Sequence, residues 1–465
     1  MTGEPDATAR LAAPPRNVGA ANPAGTPGRH SWAAARAAAW RAVRRPPAPR
    51  AVPLRQALHH TLAAPLRALT DLPAFDTAAM DGWAVAGPGP WRLRTVHAAQ
   101  GVLAGDTPTP LATGQAVPIA TGARVPAGTT AVLRREHGRV VEPPVGQSLE
   151  QSAEPPVEQP AEPSDGTPRL HATHPRPLAP GTDIRPRGQE CRAGDVLLPA
   201  VTPVTPAVLG LAAAAGHDTL TVLPRPRVTV LVLGAELLSS GVPRDGRVRD
   251  ALGPMLGPWL TAWGAHLAAS RRLDDDAEAL YQAIRQAAAT GEVDLVVTTG
   301  GTAAGPADHL HGVLRRLGGR LLVDGVAVRP GHPMLLAELP DGPLLVGLPG
   351  NPLAAVAGLF TLVEPVLTAL RSPRAAPAAP AALPRGRLCE AVPGHPRDTR
   401  LVPVATTAPG GPSAPPTPGP APVRPLPFAG PAMLRGVAAA DALAVVPPGG
   451  AAAQAEVELL TPPWT

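Results

Sequence analysis

The chain has 465 residues, more than one hydrophobic core usually organises, so we expect several domains. Hydrophobic residues make up 44% of it and aromatic residues only 2%, so the cores must be built mainly from alanine, valine and leucine. All 41 of its Lys and Arg residues are arginine, and with 36 acidic residues interspersed, the net charge of +5 argues against a nucleic-acid-binding surface.

The first half of the chain alternates between low-complexity and structured segments. Residues 31–44 and 54–69 have helical patterns, whereas residues 74–137 contain short strands separated by Gly and Pro turns. The segment 141–168 is dominated by Glu, Pro, Gln and Ser and predicts a low-complexity insert. A further apolar helix is predicted over 204–216, ahead of a boundary at residues 224–226.

The region 227–370 has the clearest secondary-structure pattern. Strands predicted at 228–233, 294–299 and 343–346 alternate with helices predicted at 250–262, 274–289 and 306–317. This alternation is typical of a doubly wound α/β domain with a parallel sheet. In chain order we predict a disordered segment at 1–30, a discontinuous N-terminal domain at 31–73 and 169–223, an inserted β domain at 74–168, the α/β domain at 224–371, a linker at 372–384 and a C-terminal β domain at 385–465.

The most informative motif is Gly-Leu-Pro-Gly-Asn-Pro at residues 347–352, between a predicted strand and a predicted helix. Gly350 permits a sharp turn, Asn351 is a suitable N-cap, and Pro352 suits the first helical position. A strand that turns directly into a helix leaves N–H groups free at the helix start, and these can bind an anion.

Two other predicted strand ends also carry unusual loops. Gly-Ala-Glu follows the first strand at 234–236, and Gly-Gly-Thr-Ala-Ala-Gly follows the second at 300–305, with Asp308 close behind. Ligands of open α/β sheets bind beyond the carboxyl ends of the strands. Glycine-rich turns and carboxylates at one crevice suit a phosphorylated ligand and a divalent cation. Alternatively, the glycines only form turns.

The cellular setting is predicted from weaker signals. Cys191 and Cys389 are far apart and have no metal-binding spacing, which favours a reducing compartment. No leader-like N-terminal pattern is found, and the best apolar run, 209–215, is too short to cross a bilayer. We therefore expect a cytoplasmic protein with neither a membrane nor a nucleic-acid partner.

Seven motifs follow one another along the chain: 73–84 (PAFDTAAMDGWA), 121–128 (TGARVPAG), 184–190 (IRPRGQE), 234–237 (GAEL), 299–305 (TGGTAAG), 329–333 (RPGHP) and 347–352 (GLPGNP). Met-Asp-Gly at 80–82 and Leu-Pro-Gly-Asn-Pro at 348–352, at this separation, are highly specific. Together they resemble the molybdopterin molybdenumtransferase family, which includes bacterial MoeA and the E domain of gephyrin. The resemblance runs from about residue 31 to the C-terminus, apart from the two Pro-rich inserts.

The resemblance implies an elongated homodimer of four-domain chains that inserts molybdate into adenylylated molybdopterin and releases AMP with Mg²⁺ or another divalent cation. The molybdopterin adenylyltransferase is a further partner that we expect. The implied catalytic positions are Asp81, Thr121, Glu190, Glu236 and Asp308. The implied metal ligands are Glu236, Asp250 and Asp308. The implied molybdopterin and phosphate contacts are Gly234, Gly300, Gly301, Gly305, Arg329, His332, Pro349, Gly350, Asn351 and Pro352.

The chain also departs from the family pattern. Ala235 replaces an acid, Ala303 replaces a serine, and Leu252 replaces a polar residue, while Arg329 and His332 replace two lysines. Arginine keeps the charge but not the geometry of lysine, and histidine is mostly neutral at pH 7. A non-catalytic molybdopterin-binding or scaffolding relative is therefore an alternative, and an unrelated nucleotide-binding enzyme is a third.

Overall fold

The structure is a computed structural model that describes residues 29–44, 47–94, 101–142, 167–173, 177–303, 309–340, 342–372, 382–407 and 419–464. It divides into a first unit, residues 1–47 and 225–465, and a second unit, residues 48–224. Most of the predicted disordered segment 1–30, of the insert 141–168 and of the linker 372–384 lies outside the described residues.

The described helices are mostly short. They are α1 (Trp32–Ala42), α2 (Pro206–Ala214), α3 (Leu252–Ala262), α4 (Ala277–Ala289), α5 (Leu310–Arg316), α6 (Pro352–Gly358), α7 (Glu364–Leu370) and α8 (Arg435–Ala438). Three other helical turns occur, at Leu54–Gln56, Arg135–His137 and Leu359–Val363.

The strands fall into three consecutive groups. The first group comprises β1 (His30–Ser31), β2 (Arg50–Pro53), β3 (Thr61–Leu62), β4 (Leu66–Arg67), β5 (Thr77–Ala78), β6 (Gly82–Val85), β7 (Trp91–Leu93), β8 (Gln115–Ile119), β9 (Ala131–Arg134), β10 (Gly138–Val141), β11 (Arg169–Ala172), β12 (Ile184–Arg185), β13 (Val196–Leu198) and β14 (Thr219–Leu223). The second comprises β15 (Arg227–Leu233), β16 (Leu237–Leu238), β17 (Val248–Arg249), β18 (His266–Leu273), β19 (Leu295–Thr299), β20 (Arg320–Asp324), β21 (Val326–Arg329), β22 (Leu335–Glu338) and β23 (Leu344–Leu348). The third comprises β24 (Arg385–Leu388), β25 (Val392–Pro393), β26 (Thr399–Thr406), β27 (Ala421–Pro425), β28 (Ala442–Val446), β29 (Gly450–Ala451) and β30 (Glu456–Leu460).

The centre of the first unit is a six-stranded sheet in the order β18-β15-β19-β23-β22-β20. The strands β15, β19 and β23 are parallel neighbours, which confirms the prediction for these three segments. The prediction of a purely parallel sheet is wrong, because β22 runs antiparallel to both β23 and β20. The sheet is therefore mixed, with a parallel part that carries the glycine-rich loops.

Alternating residues of these strands face two separate cores. Val228, Val230 and Val232 of β15 pack into one core, whereas Leu231 packs into the other, with α4 and α5. Since side chains alternate across a strand, a central strand must be apolar on both faces when helices cover both. This explains why the sequence of β15 is a continuous apolar run.

The helix α1 belongs to the first unit, where it packs against α7. The predicted discontinuous domain of 31–73 and 169–223 includes α1, so that part of the domain assignment is corrected. Arg36 of α1 is buried, donates to the Phe360 carbonyl oxygen and pairs with Glu364 at 2.8 Å. These contacts hold α1 on the core of the α/β sheet.

A continuous helical stretch, Pro352–Leu370, combines α6, a π turn at Leu359–Val363 and α7. Pro365 has no N–H, and in a regular helix its ring would collide with the carbonyl group four residues earlier, so the backbone widens just before it. The stretch is long and apolar enough to cross a membrane, contrary to our expectation that no segment would be. However, 89% of its most apolar window is buried inside the structure, as in a core helix.

The strands β24, β26, β27, β28 and β30 close into a five-stranded barrel, because β26 pairs with both β27 and β28. The sheet extends outward through β21 and then β1. Consequently β21, which leads into the Arg329–Pro333 loop, is bonded to the barrel.

The second unit contains a six-stranded sheet, β10-β11-β7-β8-β6-β9, and a three-stranded sheet, β2-β14-β3. The first includes β11, so the predicted inserted β domain extends beyond residue 168. The predicted helix at 54–69 is wrong, because after one helical turn the chain forms β3 and β4. Pro65 disfavours a continuous helix there, and pairing with β14 and β13 supplies the backbone hydrogen bonds instead.

Candidate functional site

Three loops meet at the carboxyl edge of the parallel strands. The Gly300 N–H donates to the Leu348 carbonyl oxygen at 2.8 Å, which joins the loops after β19 and β23. A Cβ atom placed on Gly350 would lie 3.7 Å from Gly300 Cα, and one placed on Gly300 would lie 3.6 Å from the Leu233 carbonyl oxygen. The ends of β15, β19 and β23 therefore border one crevice.

The loop after β19 depends on glycine for its conformation. Gly300 and Gly301 have φ angles of 80° and 64°, which a residue with a side chain adopts only with strain. Thr302 is buried beneath the loop and Ala303 is exposed. The predicted site residues Gly305 and Asp308 lie outside the described residues.

The loop after β15 exposes the carboxylate of Glu236. A Cβ atom on Gly234 would lie 2.6 Å and 2.9 Å from the two carboxylate oxygens of Glu236, so this carboxylate lies directly over Gly234. Glycine is favoured at this position because its φ angle of 142° is one that a residue with a side chain adopts only with strain. The carboxylate accepts no hydrogen bond from any described residue and is thus open to a ligand.

Asp250 has a structural role at the start of α3. Its Oδ1 atom accepts a hydrogen bond from the Gly253 N–H at 2.8 Å and so satisfies a free donor at the helix start. Asp250 lies just ahead of this helix, which was predicted over 250–262 but begins at Leu252. One carboxylate oxygen remains for any further ligand.

The start of α6 is not as free as the sequence predicted. The N–H groups of Leu353 and Ala354 both point at the Pro431 carbonyl oxygen, at 2.9 Å and 3.2 Å. Pro352 has no N–H, and the Asn351 side chain makes no capping bond. The first helical donors therefore bind the loop before α8, and the expectation of unoccupied donors at this helix start is wrong.

The Arg329–Pro333 loop is fixed by a buried carboxylate. Arg329 Nε donates to Asp398 Oδ2 at 2.8 Å, and the Asp398 side chain is only 8% exposed. His395 Nδ1 lies 3.3 Å from the same Asp398 oxygen. Burial, together with the charges of Arg29 and Arg329, lowers the pKa of His332, while Asp398 opposes the shift. Asp398 is not among the residues that the sequence predicts for this site, and an acidic partner for Arg329 is the one signal that points to it.

In the second unit, Asp81 and Thr121 form one exposed cluster. Asp81 Oδ1 accepts hydrogen bonds from the Thr121 N–H at 2.6 Å and from the Thr121 hydroxyl at 2.8 Å. These bonds, with a smaller contribution from the charge of Arg135, lower the pKa of Asp81. Asp81 is therefore a stable carboxylate at neutral pH, placed where solvent and ligands reach it.

Glu190 is also exposed but shares no hydrogen bond with Asp81 or Thr121. Its backbone N–H donates to the Leu72 carbonyl oxygen at 2.8 Å, which fixes the turn but leaves the side chain free. Throughout the described ranges, no three His, Cys, Asp or Glu side chains are grouped so that they could hold a metal ion alone.

Comparison with known proteins agrees with this arrangement. Residues 30–216 match the family model "MoeA N-terminal region (domain I and II)", and residues 229–369 match "Probable molybdopterin binding domain". These matches define the class of the protein, a multidomain chain with a molybdopterin-binding-type α/β domain. Among curated relatives, the molybdopterin molybdenumtransferase of Synechococcus elongatus is 32% identical over 331 residues, which cover 69% of this chain and 75% of the relative. The chain belongs to the molybdopterin molybdenumtransferase family.

Other matches cover a shorter part of the relative or, at low sequence identity, show a similar fold alone. The Staphylococcus aureus (strain COL) molybdopterin molybdenumtransferase is 31% identical over 193 residues, so the match spans 41% of this chain but only 45% of that relative. The crystal structure of a molybdopterin biosynthesis MoeA protein from Pyrococcus horikoshii has a TM-score of 0.65 at 23% identity, and the match covers 93% of this chain and 99% of that one. This likeness establishes a MoeA-like fold.

Proposed function

We propose that this protein inserts molybdate into adenylylated molybdopterin and releases AMP, in the last step of molybdenum cofactor formation. The observation that carries the proposal is the meeting of three loops at the carboxyl edge of β15, β19 and β23. This edge combines glycine-rich turns, where a ligand can approach the backbone closely, with the open carboxylate of Glu236, and such a combination suits a phosphorylated pterin and a cation. The named relatives support the same activity.

Mg²⁺ or another divalent cation is part of this proposal. Glu236 has an open carboxylate and Asp250 has one oxygen not engaged in capping, and Asp308 is the third ligand that we propose. Such ions commonly use one or two carboxylates and complete their shell with water and substrate phosphate oxygens, so a site with few protein ligands is compatible. When bound, the cation would neutralise charge on the phosphate link that is cleaved.

We further propose that the protein is a homodimer in the cytoplasm, with the molybdopterin adenylyltransferase as the partner that supplies its substrate. In the dimer, Asp81 and Thr121 of one subunit would face the α/β crevice of the other. Sedimentation at micromolar concentration tests the assembly, and a monomer would contradict it. Co-purification with the adenylyltransferase and cell fractionation test the two remaining points.

The activity is tested by supplying adenylylated molybdopterin, molybdate and Mg²⁺ to the purified protein and measuring AMP. Glu236→Gln and Asp308→Asn should each lower AMP release by about 100-fold, because a neutral amide is a poor ligand for a hard cation. Glu292→Gln is the matched control: Glu292 is exposed and precedes β19, at the opposite edge of the sheet, so its loss should leave turnover unchanged.

Two results would overturn the assignment. Turnover at the parent rate in both Glu236→Gln and Asp308→Asn would remove the proposed metal ligands. A parent protein that binds molybdopterin but never releases AMP would support the non-catalytic alternative, which is consistent with the replacements Ala235, Leu252 and Ala303.

A further inference from the structure

A cationic residue outside the matched family models lies beside the Arg329–Pro333 loop. The family match begins at residue 30, and Arg29 immediately precedes it. The strand β1 pairs in parallel with β21, with His30 opposite Val326, and the His30 N–H donates to the Gly325 carbonyl oxygen at 3.2 Å. This pairing fixes the backbone position of Arg29.

The side chain of Arg29 and the backbone of His332 both lie close to Gly325. A Cβ atom placed on Gly325 would lie 3.4 Å from Arg29 Cγ, 3.8 Å from Arg29 Nε and 3.5 Å from the His332 carbonyl oxygen. Arg29 is exposed, so its guanidinium group remains available to a ligand.

The basic side chains near the Arg329–Pro333 loop differ in how much free positive charge they offer a ligand. Arg329 is paired with Asp398, and His332 is held mostly neutral at pH 7 because burial and two neighbouring arginines lower its pKa. Asp398, whose Oδ2 atom also lies 3.3 Å from His395 Nδ1, is the acidic group that acts on His332 in the opposite direction. Arg29, by contrast, has no carboxylate partner among the residues that the structure describes.

We propose that Arg29 is an anion ligand of this loop and, with Arg329, binds a phosphoryl group of the substrate in place of a charge that His332 does not supply. The inference rests on the proposed function for the identity of the substrate, but not for the binding of the anion. Arginine suits this role because its planar, permanently charged group donates two parallel hydrogen bonds to phosphate oxygens.

Inorganic pyrophosphate is the probe, and calorimetry on the full chain measures its affinity at pH 7.5. Arg29→Gln should weaken binding about tenfold, because one charge-assisted contact is lost. Arg55→Gln, which removes an exposed arginine in the second unit, should leave the affinity unchanged. Arg29→Lys should retain part of the affinity because it keeps the charge.

A second readout checks the geometry. In histidine-labelled protein followed by NMR, Arg29→Gln should raise the pKa of His332 because a neighbouring cation is removed, and Arg55→Gln should not. Equal pyrophosphate affinity in the parent and Arg29→Gln, or no pyrophosphate binding by the parent, would overturn the inference. AMP release without pyrophosphate binding would leave the proposed function intact. Conversely, Arg29-dependent binding without AMP release would contradict only the proposed function.

Discussion

Asp81 and Asp398 are two carboxylates that each fix a loop, but they do so in opposite environments. The exposed Asp81 carboxylate accepts its hydrogen bonds from Thr121, two residues beyond the end of β8, as far as the described residues go, whereas Asp398 is buried and holds the charged Arg329. A buried ionic group left without its partner is costly, while an exposed one is resolvated by water. The comparison suggests that Asp398 acts mainly on structure, and that Asp81 remains free to act on a ligand.

The largest effect should follow from removing Asp398. Asp398→Ala leaves the Arg329 guanidinium without its buried acceptor, and we expect the unfolding free energy to fall by about 2–3 kcal/mol in urea titration. Arg329 is 45% exposed, which keeps the loss below that of a fully buried pair. The matched control is Glu456→Ala, which breaks an exposed pair with Arg385 in the same barrel and should cost less than about 1 kcal/mol. Equal losses would mean that burial does not distinguish these carboxylates.

Asp81→Asn should act on function and hardly on stability. We expect AMP release to fall more than about tenfold, because the amide loses the negative charge that the exposed cluster presents, while the unfolding temperature stays near that of the parent. Asp106→Asn is the control, because Asp106 also accepts a backbone N–H in an exposed turn of the same unit. A large drop in unfolding temperature for Asp81→Asn would make Asp81 a structural carboxylate like Asp398.

Thr121→Val should change the titration of Asp81. The hydroxyl donor is lost and the backbone N–H remains, so the pKa of Asp81 should move part of the way back toward its ordinary value. Because the folded-state pKa is lowered, the stability due to these bonds is present above the unfolded-state pKa and is lost as pH falls through the folded-state value. Carbon-13 NMR of the carboxyl group measures the shift, and an unchanged pKa would mean that the hydroxyl bond is not formed in solution.

The smallest effect concerns Asp294, which is partly buried before β19 and accepts a hydrogen bond from the Arg227 N–H at 2.7 Å. Burial raises its pKa, more strongly than this bond and the Arg227 charge lower it. The sign is opposite to that of Asp81, because here stability is lost as pH rises through the folded-state pKa. Asp294→Asn should therefore raise the unfolding free energy at pH 7 by up to about 1 kcal/mol, measured by urea titration at pH 4 and pH 7. A loss of stability at pH 7 would show that the charged form is favoured in the folded protein.

The sequence predicted the parts of the fold that depend on local pattern. The runs at β15, β19 and β23 are continuous apolar segments that alternate with helical patterns, and this local alternation is what predicts parallel neighbours. The extended chain after Leu54 pairs with β14, about 160 residues further along the chain, and hydrophobic periodicity does not encode such a partner. The strand β22 pairs with the neighbouring β23, but its short apolar run carries no signal for the antiparallel direction. The helical pattern of α1 was recognised, but its partner α7 lies more than 300 residues away.

The candidate site was likewise predictable only in part. Glycine-rich turns at strand ends are local signals, and they led to Gly234, Gly300 and Gly350. The Pro431 carbonyl oxygen at the start of α6 and the carboxylate of Asp398 carry no motif, because a backbone acceptor exists at every residue and a single acid in a loop is ordinary. Both groups belong to the C-terminal region 385–465, so their positions depend on how that region packs, for example through the pairing of β26 with β21.

The π turn at Leu359–Val363 sets the rotational phase of the helix that contains it. A π turn corresponds to a single inserted residue, and each residue of an α-helix advances the side chains by about 100°. Deleting one residue of this turn and replacing Pro365 would restore a regular helix. The deletion would also rotate α6, and the Gly-Leu-Pro-Gly-Asn-Pro turn before it, by about that angle relative to α7. The orientation of the loop at the carboxyl edge is thus linked to the residue count of a buried helix rather than to the loop sequence itself.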